Sequence, residues 1–215
     1  MNLSEIECKK IFKDAYEQRY TWPKVFNGYK GKCLFIKDDY SYQGEFTLGK
    51  TFKPEVNNIK DDEIVKSIAS QLFEVSIHRV KRDFNQIHLQ NKFQFVSESE
   101  KGLEMKVKGN NEGDKYRIKD NRINMVFRKI HGTIIEIFVD EFINTGNGIL
   151  SKKYTSQQLD IQTFKPKSPK LEYLDNFIKL EESAIWILDS RIIKFTDNEN
   201  KEILLKYLFT DIISI

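Results

Sequence analysis

Cysteine, histidine and proline are scarce in this chain: two, three and four of each among 215 residues. Cys8 and Cys33 are too few for a disulfide framework, and both fall on stretches that read as buried faces, so reduced and unreactive thiols are expected. His78, His88 and His131 are too dispersed to supply two ligands one helical turn apart, so no metal site is expected. No Gly-x-Ser-x-Gly elbow occurs, and Thr145-Gly146-Asn147-Gly148 lacks both the lysine and the strand-to-helix setting of a phosphate loop, so it reads as a turn. The pairs Asp61-Asp62 and Glu181-Glu182 read as a helix cap and an exposed turn. These absences leave no catalytic residue and no cofactor to assign.

Charge of one sign is missing as well. The 35 basic and 32 acidic side chains are interspersed and leave a formal charge of +3, whereas a nucleic-acid binder carries a one-sided excess to neutralise phosphates. No nucleic-acid partner is expected. Apolar runs are short, as in Ala184 to Leu188, so no transmembrane segment is expected. Glu5, Glu7, Lys9, Lys10 and Lys13 interrupt what would be the apolar core of a secretory signal, and a cytoplasmic location is the expectation.

What the chain has in quantity is aromatic side chains, 16 Phe and 9 Tyr, enough apolar surface to offset the ordering of the backbone. A single domain over residues 1–215 is expected.

Ser4 and Glu7 have capping-box spacing, and Cys8, Ile11, Phe12, Ala15, Tyr16 and Arg19 recur at helical period, so a helix opens the chain and ends before Pro23. From Tyr29 the period becomes two. Asp38-Asp39 reads as the turn between a strand ending near Phe35 and a second strand, Tyr42 to Leu48, and Pro54 marks an edge strand at 52–56. Asp61 and Asp62 open a second helix running to about Ile77 on an Ile64, Ile68, Leu72, Val75 stripe, with His78, Arg79, Lys81 and Arg82 near its end. Everything after Phe84 reads as sheet, including Leu171 to Leu180 and two separate strands, Ala184 to Leu188 and Arg191 to Phe195.

On the order of ten strands at about 4.8 Å each would be nearly 50 Å wide, whereas a helix covers about 10 Å. The expected fold class is therefore α+β: a curled, mostly antiparallel sheet, a half-barrel, wrapping the N-terminal helix and the second helix. Such a curl leaves room for an apolar groove between sheet and helix.

The candidate ligand site is the aromatic knot at the end of the first helix: Tyr16, Arg19, Tyr20, Trp22, Phe26 and Tyr29. Arg19, on the inward face, needs a carboxylate or several carbonyls; it either ties the helix to the sheet or meets the polar end of a ligand. A second candidate is the cationic loop of Lys165, Lys167 and Lys170, stiffened by Pro166 and Pro169, which suits docking onto an acidic protein surface or anionic headgroups.

Ala15-Tyr16-Glu17-Gln18-Arg19-Tyr20-Thr21-Trp22, Phe26-Asn27-Gly28-Tyr29, His78-Arg79 and Thr145-Gly146-Asn147-Gly148 together resemble an uncharacterised family of similar length from cyanobacteria and plastids. The chain departs from that pattern at His88-Leu89, where a glycine would follow the histidine. The resemblance implies a photosynthetic cell, in cytoplasm or stroma, and transfers no catalytic residue. More loosely, the element order looks like the half-barrel of bacterial lipoprotein carriers.

The leading expectation is a non-enzymatic binding protein with an apolar cleft for a lipid, pigment or similar hydrophobic molecule. The alternatives are an assembly or scaffold factor with a protein partner, and an enzyme in which acid-base groups, such as His88 with a carboxylate, converge in the cleft.

Overall fold

The structure, a computed structural model, describes residues 3–180 and 183–215. The Glu181-Glu182 pair lies outside the described residues. In chain order the elements are α1 (Glu5–Glu17), β1 (Tyr29–Lys37), β2 (Tyr40–Leu48), β3 (Pro54–Asn57), α2 (Asp62–Arg79), α3 (Phe84–His88), β4 (Lys92–Ser99), β5 (Gly102–Lys108), β6 (Lys115–Lys119), β7 (Arg122–Ile130), β8 (Thr133–Asn144), β9 (Ile149–Asp160), β10 (Leu171–Lys179), β11 (Trp186–Thr196) and β12 (Glu202–Ser214). The fold class is α+β, with twelve strands among the described residues in an antiparallel sheet that does not close.

Two compact units divide the chain: residues 3–20 with 82–172, and residues 21–81 with 173–215 apart from the undescribed pair. In the first unit the strand order is β9-β8-β7-β6-β5-β4, a meander of hairpins. Its core forms where α1 lays Cys8, Phe12 and Ala15 on Phe93, Leu103, Met105, Val107, Tyr116 and Ile118, with Phe84 from α3 filling the end. The entry of α1 is fixed by the reciprocal cap the sequence suggests: the Glu7 backbone amide donates to Ser4 Oγ, and the Ser4 amide donates to the Glu7 carboxylate at 2.8 Å.

In the second unit the order is β3-β2-β1-β12-β11-β10, with β3 at an edge where the missing N–H of Pro54 is tolerated. Asp38-Asp39 is the turn between β1 and β2, with Asp38 at φ 51°. Asp61 caps α2 by accepting from the amides of Glu63 and Ile64, and Ile68, Leu72 and Val75 are its buried stripe.

Two local expectations are corrected. Residues 84–88 form a short helix capped by Asp83, rather than starting the sheet directly. Ala184 to Leu188 and Arg191 to Phe195 are not two strands; β11 runs unbroken through Asp189 and Ser190. Their polarity suggests a break, but Ser190 is held in the strand by Asn176 Nδ2 of β10, which donates to its hydroxyl at 3.1 Å.

Candidate functional site

In the first unit, α1 ends at Glu17, and the following residues lie along the start of β9: the Tyr20 amide donates to the Ile149 carbonyl, and the Ile149 amide donates to the Gln18 carbonyl. This places Tyr16 and Arg19 together at the open end of the helix. Arg19 Nε donates to the Tyr16 carbonyl at 3.0 Å, and the guanidinium stacks 3.7 Å from the centre of the Tyr16 ring. Among the described residues no carboxylate pairs with Arg19. Burial works against its charge and pulls its pKa below the ordinary value, with Tyr16 opposing that shift.

The strand face that α1 covers extends past the helix. Val126 packs on the α1 core and pairs across the ladder with Ile137; Arg128 pairs with Ile135. Alternation puts Ile135, Ile137 and Val139 of β8 on this same face, each half-buried, with Gln158, Ser156 and Tyr154 of β9 opposite them. The result is an aliphatic row that is continuous with a packed core yet still partly open to solvent. A helix about 10 Å wide cannot span six strands about 4.8 Å apart.

Polar groups border the row. Asp114, nearly fully buried, accepts from Arg128 Nε at 3.2 Å, from the Lys129 amide at 3.0 Å and from the Tyr116 hydroxyl at 3.4 Å. His88 is buried in an aromatic box of Phe12, Tyr16, Phe84 and Phe93 with ring centroids 5.0 to 5.8 Å away. Asn91 Nδ2 lies 2.9 Å from His88 Nδ1, which assigns that nitrogen as the acceptor. Burial first, then the charges of Arg128, Arg19 and Lys9, pull the imidazole pKa down to about 4. His88 thus faces an amide, not the carboxylate an acid-base pair would use.

The remaining sequence candidates are distributed as follows. Tyr20 is buried beside Ile149 in the first unit. Trp22, Phe26 and Tyr29 are buried in the second, packed on one another and on Phe52, with Trp22 Nε1 donating to the Trp186 carbonyl at 2.9 Å. The first unit thus has a Tyr16–Arg19 pair, and the second has a Trp22–Phe26–Tyr29 cluster. Lys165, Lys167 and Lys170 are exposed on a loop of the first unit that folds back on its own strand: the Lys167 amide donates to the Gln158 carbonyl, Pro166 bridges Leu159, and Phe164 stacks on Phe127.

Sequence reasoning missed a buried polar cluster in the second unit. Arg191, with 2% of its side chain exposed, makes a two-pronged pair with Asp175, both bonds 2.7 Å, and reaches Gln71 at 3.0 Å and Glu74 at 3.3 Å on α2. Glu74 has its pKa raised by burial, which Arg191 partly opposes. The available signal was phase: Asp175 stands between Tyr173 and Phe177 on the apolar face of β10, where an ionised group requires a partner. The same unit has a cleft of about 300 Å³ lined by Ile178, Leu180, Phe209 and Ile212, with Lys179 and Asp189 at its sides. Among the described residues no three potential metal-ligating side chains stand together, and no helix is long and apolar enough to cross a membrane.

No curated protein matches the chain. Solved structures similar to it include a DUF1329 family protein from Desulfovibrio piger, 8% identical over 98% of this chain and 91% of that one, at a TM-score of 0.28. Another is a putative outer membrane lipoprotein-sorting protein domain from Vibrio parahaemolyticus, 7% identical over 98% and 93%, at 0.29. Likeness at these scores decides nothing about function. The family model described as "Protein of unknown function (DUF3386)" matches residues 3–215, and the chain belongs to that family.

Proposed function

We propose that this protein is a non-enzymatic binding protein for a lipid, pigment or similar hydrophobic molecule, and that the ligand lies along β8 beside the end of α1. The observation that supports this reading is the half-exposed row of Ile135, Ile137 and Val139 on the face where α1 builds the core. Apolar side chains left open beside a packed core are the usual lining of a ligand groove. Tyr16 and Arg19 form the end wall, and Tyr20, buried in the same unit, anchors the backbone that follows them to Ile149.

Native mass spectrometry of the full chain purified from its host is expected to show a bound small molecule, and Ile137→Glu to lose it while keeping the wild-type circular dichroism. Repeated recovery of the wild-type protein without any adduct overturns the reading.

The docking reading rests on a separate observation: the loop carrying Lys165, Lys167 and Lys170 is pinned to β9, so its cations are exposed on a fixed frame. Replacing all three by Glu is expected to abolish retention of an acidic protein partner in a pull-down. Unchanged recovery dismisses the loop as a docking element.

A further inference from the structure

Cationic side chains gather around Tyr16 and His88: Arg19 stacks on the Tyr16 ring, and the Tyr16 hydroxyl donates to the Arg82 carbonyl at 3.5 Å. Arg19 and Arg128 both act on His88 and on Tyr116, Lys9 acts on His88, and Arg82 lies close enough to Arg19 to oppose its charge. The buried carboxylate of this region, Asp114, is already bonded to Arg128, Lys129 and Tyr116. Arg19 is left with its own helix carbonyl and the Tyr16 ring, and no described carboxylate. A partly desolvated guanidinium without a counter-charge is unfavourable until an anion arrives, and its planar fork suits a carboxylate in two-pronged contact.

Beside this cation lies the aliphatic row. The Tyr16 ring under Arg19 lies 6.2 Å from that of Phe12, and Phe12 lies 4.5 Å from Tyr116; Tyr116 pairs across the ladder with Val126, and Val126 pairs with Ile137. Building on the ligand-binding reading above, we infer that the ligand is an amphiphile with one anionic head, the head held by Arg19 against Tyr16 and the chain laid along Val126, Ile137 and Val139.

The test separates the head group from the chain. The full-length protein is titrated with oleate and with oleyl alcohol, which share a chain length and differ in charge, each competing with a fluorescent long-chain probe. Wild type is expected to bind oleate at least tenfold more tightly than the alcohol. Arg19→Gln should erase that preference, with a wild-type circular dichroism spectrum and urea midpoint showing that the groove is still folded. Arg19→Lys should recover part of the preference, since it keeps the charge and loses the fork. Equal affinity of wild type for the two compounds, or a preference that survives Arg19→Gln, overturns the head-group assignment and leaves the groove standing. Binding of neither compound overturns the groove as well.

Discussion

The imidazole of His88 is enclosed by four rings and accepts from Asn91, so its neutral form suits the folded state. Its folded pKa of about 4 lies below the ordinary 6.5. Above pH 6.5 both states are neutral and nothing is gained or lost. Between 6.5 and 4 the unfolded chain takes up a proton that folded His88 refuses, so stability declines as pH falls through this window, by up to about 3 kcal/mol. Urea titrations across pH 7.5 to 4 should show the decline, and His88→Gln should flatten it; an identical pH profile in the variant would remove His88 from the account. Two arginines, Arg191 fully buried and Arg19 half-buried, contrast instructively. Arg191 is matched by Asp175, Gln71 and Glu74 and so belongs to its own fold, whereas among the described residues Arg19 is matched only by Tyr16. Sequence position gave no hint of that difference, because pairing between residues 16 to 120 apart in the chain is decided by strand register.

Among the elements, the ones read most easily were those with local signals: the Ser4–Glu7 cap, the Asp61 cap and the Asp38-Asp39 turn all act within four residues of themselves. α3 escaped notice because five residues carry too little periodicity to distinguish from a strand. The Tyr16–Arg19 pair was visible as one helical face, but the path of the chain after α1 was not, since it depends on pairing with β9. That path has one tight point. Gly148 has φ +143°, and a Cβ built there would lie 2.7 Å from the Tyr20 Cα and 2.8 Å from its nitrogen. Gly148→Ala must displace the Arg19–Tyr20 segment from Ile149, and is expected to lower stability by more than about 1 kcal/mol in chemical denaturation. A midpoint equal to wild type would show that the segment shifts without strain.

For the molecule as a whole, the estimate of too much sheet for too little helix came from counting strands. It could not say which strands α1 covers, because that depends on where the meander turns. The meander of β4 to β9 is built from neighbours in sequence, so that unit assembles by successive short loops. The other unit is different: β1 has β2 on one side and β12 on the other, in a ladder from Tyr29–Ser214 to Lys37–Leu205. While the chain is still emerging from the ribosome, the β1–β2 hairpin therefore waits with one unpaired edge, Cys33 and Phe35 uncovered, until β12 has been made. Chaperone demand during synthesis should centre on that waiting hairpin, and premature termination before β12 should yield an insoluble product.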